Sequence, residues 1–168
     1  MNWDFLIKDK QSLFVTTDSR QVLPGCVFVA LKGEHFDGNQ FVDQAKEAGA
    51  AYVISGDNAM ADLQDLARAW RRELGLPIIA ITGTNGKTTT KEMTWTVMSA
   101  KYNTLKNEGN LNNEIGVPIT LFRLDKCHEA AVIEMGMSGF GEISRMTRAV
   151  KPDLAIISNI GVSHIENL

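Results

Sequence analysis

The segment from Pro77 to Thr90 constrains the fold more than any other part of the sequence. An apolar run over residues 77–81 leads into a loop that contains Gly83 and Gly86, and a helical pattern of apolar residues follows. This order of strand, glycine-rich loop and helix is the context of a phosphate-binding loop. Glycines let the backbone curl so that several N–H groups face one anion, and the N-terminus of the helix adds partial positive charge. The sequence therefore predicts a site for the phosphates of a nucleotide.

The side chains of this loop suit a nucleotide that is bound together with Mg²⁺. Lys87 can reach the β- and γ-phosphates, and the Thr88 hydroxyl can ligate Mg²⁺. The usual pattern, G-x-x-x-x-G-K-[ST], would require glycine where this chain has Ile81, so the loop is a variant that begins at Gly83. The alternative is a chance Gly-Lys-Thr turn with a structural role. The predicted nucleotide contacts are Gly83, Thr84, Asn85, Gly86, Lys87, Thr88 and Thr89.

Strand and helix patterns divide the chain into two parts. Residues 1–76 contain strand-like runs at 27–31 and 51–54 and a helical pattern from Leu63 to Leu74. From Pro77 onward, strands are predicted at 77–82, 103–106, 130–135 and 154–159, and helices at 87–101, 116–123 and 141–149. Such alternation predicts an α/β protein with a mostly parallel sheet covered by helices. We expect a small N-terminal α/β domain at 1–76, followed by an incomplete, mostly parallel P-loop nucleotide-binding domain at 77–168. The chain is therefore expected to be a truncated piece of a longer protein.

Composition narrows the class of protein further. Hydrophobic residues make up 44% of the 168 residues and charged residues 22%, as in globular proteins, and no apolar run approaches the ~20 residues of a membrane helix. The net charge of −3 disfavours bulk binding to nucleic acid, which usually requires a basic face. Cys26 and Cys127 lie far apart, which predicts two buried thiols in a reducing compartment. With no export signal at the N-terminus, a cytoplasmic protein is expected.

Two side chains beyond the loop are candidate metal ligands. Glu134 ends the apolar run 130–133, where a parallel strand delivers a side chain to the ligand crevice, and Mg²⁺ prefers oxygen ligands. His164 follows the last predicted strand and could bind a metal or a charged oxygen. The respective alternatives are a solvated carboxylate at a strand end and a histidine in a surface loop.

Residues 107–118 are rich in side-chain amides, which can bind the hydroxyls and carbonyls of a polar ligand without adding charge. The alternative is a turn-rich loop that caps the helix predicted to begin near Val117. No convincing Ser/His/Asp or Cys/His constellation suggests a covalent nucleophile. The guanine-reading Asn-Lys-x-Asp pattern is also absent, which disfavours a GTPase.

Several segments, in order along nearly the whole chain, resemble the Mur ligase family. They are Asp18-Ser19-Arg20 with the stretch 24–33, the phosphate loop followed by Lys91-Glu92-Met93, the stretch 109–118, Glu134-Met135-Gly136-Met137, and the stretch 159–164. The resemblance implies that Gly83 through Thr89 bind ATP. It also implies that Thr88 and Glu134 hold one Mg²⁺ and that His164 ligates a second.

The same resemblance assigns substrate contacts. By it, the N-terminal domain holds the uridine-diphosphate part of the substrate, with Thr17, Ser19, Glu34, His35 and Phe36 as candidate contacts. The asparagines Asn110, Asn112 and Asn113 would face the muramoyl-peptide. Members of the family have three domains. Two features expected of the family are not found here: the C-terminal domain, and a lysine that follows the histidine motif. This chain alone is therefore not expected to complete the reaction.

The activity implied by the resemblance is an ATP-dependent amide ligation in peptidoglycan precursor synthesis. The stretches 18–33 and 109–118 favour the reaction that adds D-alanyl-D-alanine to UDP-N-acetylmuramoyl-tripeptide through an acyl phosphate, with Lys87, Glu134 and His164 as catalytic residues. Other ligases of the superfamily remain alternatives, such as the lysine- or diaminopimelate-adding enzyme or folylpolyglutamate synthase. A nucleotide-binding module without ligase activity is a further alternative.

Overall fold

The structure is a computed structural model that describes residues 2–33 and 36–161. In the N-terminal part the elements are α1 (Asp4–Ile7), β1 (Val15–Thr16), a 3₁₀ turn (Ser19–Gln21), β2 (Val27–Val29), a 3₁₀ turn (Gly38–Phe41), α2 (Val42–Glu47), β3 (Tyr52–Ile54) and α3 (Ala59–Leu74). They continue with β4 (Ile78–Thr82), α4 (Lys87–Ser99), β5 (Thr104–Lys106), α5 (Gly116–Leu121), β6 (Ala130–Glu134), α6 (Glu142–Val150) and β7 (Leu154–Ile157). Three predicted site residues, Glu34, His35 and His164, lie outside the described residues.

The strands form two sheets, and every described strand pair is parallel. The first sheet has the order β1-β2-β3, and the second has the order β5-β6-β4-β7. All five residues of β6 are buried, as expected for a central parallel strand that is covered on both faces. The predicted α/β fold with parallel sheets is confirmed.

Helix α3 connects the two sheets. Its apolar stripe, spaced at helical intervals, includes Leu63, Leu66, Ala67 and Trp70, each 0% exposed. The helix packs on β3 of the first sheet. It also packs on α5 and α6, the helices that connect strands of the second sheet. The indole N–H of Trp70 donates to the Leu124 carbonyl oxygen at 3.0 Å, so its polar group is satisfied within the core. One hydrophobic core thus extends from the N-terminal sheet into the second sheet.

Helix α4 is formed as predicted, but its apolar pattern does not mark a buried face. The side chains of Met93 and Val97 are 67% and 74% exposed, and the buried residue of this helix is Lys91. The prediction that both thiols are buried is wrong for Cys127, which is exposed, whereas Cys26 is buried. Cys127 lies in a turn, where its backbone N–H donates to the Asp125 carboxylate at 2.8 Å.

Strand β7 ends earlier than predicted, because Ser158 and Asn159 turn towards the loop after β4. None of the described helices has the length and apolar character needed to span a bilayer.

Candidate functional site

The candidate site lies where three parallel strands end together. In the register of the second sheet, Ile81 of β4 is opposite Glu134 of β6, and Thr82 is opposite Ile157 of β7. The residues that follow these strands therefore emerge at one edge of the sheet, with the loop of β4 between the ends of β6 and β7. The carboxyl edge of a parallel sheet is the usual place for ligands in α/β proteins.

The loop after β4 has the curled backbone that its glycines predict. Gly83 and Gly86 have φ values of +133° and +76°, in the region that favours glycine, and α4 begins directly after Gly86. The ammonium of Lys87 folds back and donates to the carbonyl oxygens of Gly83 at 2.8 Å and Thr84 at 3.0 Å. Thr88 and Thr89 are exposed in the first turn of α4. Since the first N–H groups of a helix have no partner within it, this turn presents donors to an anion.

The end of β7 holds the other side of the loop. The N–H groups of Thr84 and Asn85 donate to Asn159, one to its backbone oxygen at 3.1 Å and one to its side-chain oxygen at 2.8 Å. The Ser158 hydroxyl donates to the carbonyl oxygen of Asn85 at 2.6 Å. Thr84 and Gly161 exchange hydrogen bonds through the Thr84 hydroxyl. The loop is thus tied to a neighbouring strand as well as to its own helix.

Glu134 is a buried carboxylate with one oxygen still available. The residue is 2% exposed, and its Oε1 accepts a hydrogen bond from the Asn112 amide at 2.9 Å. Its Oε2 has no hydrogen-bond partner among the described residues, although the Lys91 ammonium lies 3.8 Å away. The side chain of Asn107 fixes the backbone at this point, because it bonds both the N–H and the carbonyl oxygen of Glu134 at 2.9 Å.

This arrangement suits a hard cation such as Mg²⁺. An orphaned, buried carboxylate oxygen is the kind of ligand that Mg²⁺ uses, together with hydroxyls and substrate phosphates. Within residues 2–33 and 36–161, no three His, Cys, Asp or Glu side chains cluster to form a metal site by themselves. Glu134 and the hydroxyl of Thr88 are the predicted ligands that fall within the described residues.

Lys91 is a functional candidate that the sequence patterns alone do not single out. Its side chain is 2% exposed, and its ammonium donates to the Asn107 carbonyl oxygen at 3.0 Å and pairs with Glu92 at 3.3 Å. Glu92 also pairs with Lys106, and this hydrogen bond, helped by Lys91, lowers the pKa of the Glu92 carboxyl below its usual value. The available signal is its spacing, since Lys91 lies four residues after Lys87 and so on the same side of the helix.

The three candidate asparagines have different surroundings. Asn110 is exposed, whereas Asn112 directs its amide at Glu134. The side-chain oxygen of Asn113 accepts from the N–H groups of Ile115 and Gly116, at 3.1 and 2.8 Å, and so caps the start of α5. Asn113 thus has the helix-capping role that was the alternative to ligand binding for this loop. The substrate contacts of all three asparagines stay predictions.

Two of the candidate contacts in the N-terminal part, Thr17 and Ser19, follow directly after the carboxyl end of β1. Thr17 lines a cavity of about 330 Å³ between β1 and α5, together with Asp18 and Arg123. Ser19 begins the 3₁₀ turn that Asp18 caps, and the hydrogen bond and charge of Arg20 lower the pKa of the Asp18 carboxyl to about 2. Phe36 is 55% exposed and stacks on Phe41 with ring centroids 5.6 Å apart.

A glycine-rich loop between an inner strand of a parallel sheet and a helix defines an α/β protein of the phosphate-loop class. The chain belongs to the Mur ligase family. The pattern of the Mur ligase middle domain matches residues 81–168, and that of the Mur ligase family, catalytic domain, matches residues 12–119.

Relatives with assigned names agree with this placement. The chain is 44% identical, over 92% of its length, to the UDP-N-acetylmuramoyl-tripeptide–D-alanyl-D-alanine ligase of Bacillus subtilis, and 43% identical, over 90%, to the Escherichia coli ligase of the same name. It spans 37% and 36% of the length of these two relatives.

Solved structures show the same relationship. A crystal structure of MurF from Acinetobacter baumannii matches 90% of the chain with a TM-score of 0.81 and 40% identity, and the chain covers 36% of it. The MurF ligase of Thermotoga maritima in complex with ADP matches 95% of the chain with a TM-score of 0.84 and 32% identity, and the chain covers 40% of it.

Proposed function

We propose that this chain is the nucleotide-binding part of an ATP-dependent ligase that adds D-alanyl-D-alanine to UDP-N-acetylmuramoyl-tripeptide. The observation that carries the proposal is that the curled loop after β4 and the Glu134 carboxylate emerge at the same sheet edge, where Oε2 of Glu134 has no hydrogen-bond partner among the described residues. The names of the Bacillus subtilis and Escherichia coli relatives support the choice of substrates. Residues 1–76 would hold the uridine-diphosphate end of the substrate and residues 77–168 the ATP, in the cytoplasm, where ATP is available.

The reaction needs positive charge where two anions meet. A carboxylate oxygen of the peptide attacks the γ-phosphorus of ATP, the bond to the bridging oxygen breaks, and ADP leaves. The amine of D-alanyl-D-alanine then attacks the resulting acyl phosphate, loses a proton and expels phosphate as the amide forms. Bringing a carboxylate to a triphosphate is electrostatically unfavourable, so the site must offset this repulsion.

The residues of the chain divide this task. Lys87 would exchange its bonds to the Gly83 and Thr84 carbonyls for phosphate oxygens, and the first turn of α4 would donate its N–H groups. Thr88 and Glu134 would hold Mg²⁺, which when bound neutralises phosphate charge. His164 stays a predicted ligand of a second Mg²⁺.

Calorimetry with ATP and Mg²⁺ on the 168-residue chain tests the nucleotide site. We expect saturable binding that weakens at least about tenfold in Lys87→Ala, because this change removes a charged hydrogen-bond donor. Lys46→Ala is the matched control, since Lys46 is an exposed lysine on α2 that pairs with the exposed Asp43. Equal affinity in Lys87→Ala and in the unaltered chain would show that the loop does not bind phosphate.

The choice of substrates requires a complete ligase. The chain is joined to the part of the Bacillus subtilis relative that follows the matched segment, and ADP release is measured with UDP-N-acetylmuramoyl-tripeptide and D-alanyl-D-alanine. Turnover is expected only when both are present. Turnover with lysine or diaminopimelate in place of the dipeptide would assign a different ligase, and nucleotide binding without any turnover would favour a binding module.

A further inference from the structure

We propose that Asn159 is a positioning residue for phosphate binding, acting through the backbone of the loop after β4. The inference rests on the proposed nucleotide site and assigns a role to the end of β7 that the loop residues alone do not supply. Asn159 accepts hydrogen bonds from two successive backbone N–H groups of the loop. These come from Thr84, at 3.1 Å to the Asn159 backbone oxygen, and from Asn85, at 2.8 Å to its side-chain oxygen.

Ser158 completes this attachment from the other side of the loop. Its hydroxyl lies 2.6 Å from the Asn85 carbonyl oxygen and 3.2 Å from the Thr82 carbonyl oxygen. A Cβ atom on Gly83 would lie 2.3 Å from the same hydroxyl, and 2.9 and 3.0 Å from backbone atoms of Asn159. The close approach of Ser158 and Asn159, directly after β7, therefore requires glycine at position 83, and it holds the first half of the loop against this segment.

The hydrogen bonds divide the N–H groups of the loop between two tasks. Those of Thr84 and Asn85 are used by Asn159, so they point at the segment that follows β7 rather than at a ligand. The N–H groups at the start of α4 have no partner within the helix and stay available for an anion. Fixing the first half of the loop in advance lowers the entropy that phosphate binding must otherwise cost. Asn159 thus fixes the loop and, through it, orients the N–H donors at the start of α4, without contacting the phosphate itself.

Binding of inorganic triphosphate with Mg²⁺ to the 168-residue chain tests this role. In Asn159→Ala the acceptor for the Asn85 N–H is lost, and we expect triphosphate affinity to fall about five- to tenfold. Ser158→Ala, which leaves both Asn159 acceptors in place, is expected to cause a smaller loss. Asn58→Ala is the matched control, because Asn58 precedes α3 and makes no side-chain cap bond.

Amide hydrogen exchange in the ligand-free chain separates positioning from overall stability. We expect the Asn85 N–H to exchange faster in Asn159→Ala, while the exchange of β6 amides and the melting temperature stay close to those of Asn58→Ala. If Asn159→Ala lowers the melting temperature strongly, Asn159→Leu, which keeps the bulk of the side chain but has no acceptor for the Asn85 N–H, supplies the same two measurements.

The outcomes distinguish this inference from the proposed function. If the unaltered chain does not bind triphosphate, the nucleotide site is wrong and the role of Asn159 fails with it. If the chain binds triphosphate through Lys87 but Asn159→Ala binds it equally well, the nucleotide site stands and only the positioning role is overturned. Faster exchange at Asn85 without any loss of affinity would also overturn the positioning role, since the attachment of the loop to β7 would then be structural only.

Discussion

The ammonium of Lys91 lies 3.8 Å from Oε2 of Glu134, and these two side chains are only 2% and 3% exposed. The distance is too long for a hydrogen bond, so the pair is held by charge and not by a direct bond. Lys91 is fixed by the Asn107 carbonyl oxygen and Glu134 by the Asn112 amide. The carboxylate is therefore balanced by a buried cation while one of its oxygens stays available.

Removing the cation of this pair should destabilise the chain strongly. Lys91→Met leaves Glu134 as an uncompensated buried charge, which costs about 3–5 kcal/mol in comparable pairs. Urea denaturation measures the free energy of unfolding. The control is Lys46→Met, which breaks the exposed pair with Asp43 and should cost less than about 1 kcal/mol.

A double variant tests whether the charge, and not lost packing, is responsible. Adding Glu134→Gln to Lys91→Met removes the stranded carboxylate, so part of the lost stability should return. If the losses of unfolding free energy in the two single variants simply add in the double variant, Lys91 and Glu134 do not interact energetically.

Gly83 should tolerate a side chain far less well than another glycine of positive φ. In Gly83→Ala the new Cβ meets Ser158 and Asn159, so we expect a loss of at least about 2 kcal/mol and of nucleotide binding. Gly56→Ala is the control, since its φ is +86° and nothing lies within 4 Å of its ideal Cβ position. Its cost should be about 1 kcal/mol, from the backbone alone. Equal effects of the two substitutions in thermal unfolding would mean that β7 does not crowd Gly83.

Trp70 should contribute more to stability than the other hydrogen-bonded tryptophan. Trp70→Phe leaves a cavity in the core and strands the Leu124 carbonyl oxygen, with an expected cost of about 2–3 kcal/mol. Trp95→Phe removes a similar bond, 2.8 Å long, to the Thr104 carbonyl oxygen, but Trp95 is only partly buried, so about 1 kcal/mol is expected. Chemical denaturation measures the free energy of unfolding of the two variants. A larger loss in Trp95→Phe than in Trp70→Phe would contradict the prediction.

The Asp18 carboxyl should titrate at an unusually low pH. Its pKa is lowered to about 2 by the hydrogen bond and charge of Arg20, so the carboxylate form is favoured in the folded chain. Its stabilising effect is complete above the ordinary aspartate pKa of about 3.9 and is lost as the pH falls towards 2. Carbon-13 NMR of this carboxyl measures the midpoint, which Arg20→Ala should raise towards the ordinary value. A midpoint near 4 in the unaltered chain would mean that the pair does not persist in solution.

The parts of the site that sequence predicts well are those with local patterns. An apolar strand, two glycines and a helix start fix the conformation of residues 78–99, because each signal acts within a few residues. Glu134 is a candidate because it ends an apolar strand, and the parallel register places it opposite Ile81. The contacts proposed for these residues with ATP and Mg²⁺ stay predictions.

The parts that sequence does not predict depend on partners far along the chain. Lys91 is charged, and its burial becomes understandable only once Glu134 is placed beside it. The apolar pattern predicts that Asn159 lies in a strand. No local signal shows that it accepts hydrogen bonds from Thr84 and Asn85, which lie about 75 positions earlier in the chain. Composition places Cys127 inside because cysteines are often buried, but a local turn exposes it.

The position of α3 has a consequence for exchanging parts between related ligases. This helix belongs to the first 76 residues in sequence, yet its buried stripe completes the core around the second sheet. Grafting those 76 residues onto a different partner would leave the Trp70 indole facing an unmatched surface. A working hybrid would have to carry α5 and α6 along with α3, so the practical unit of exchange is larger than either sheet.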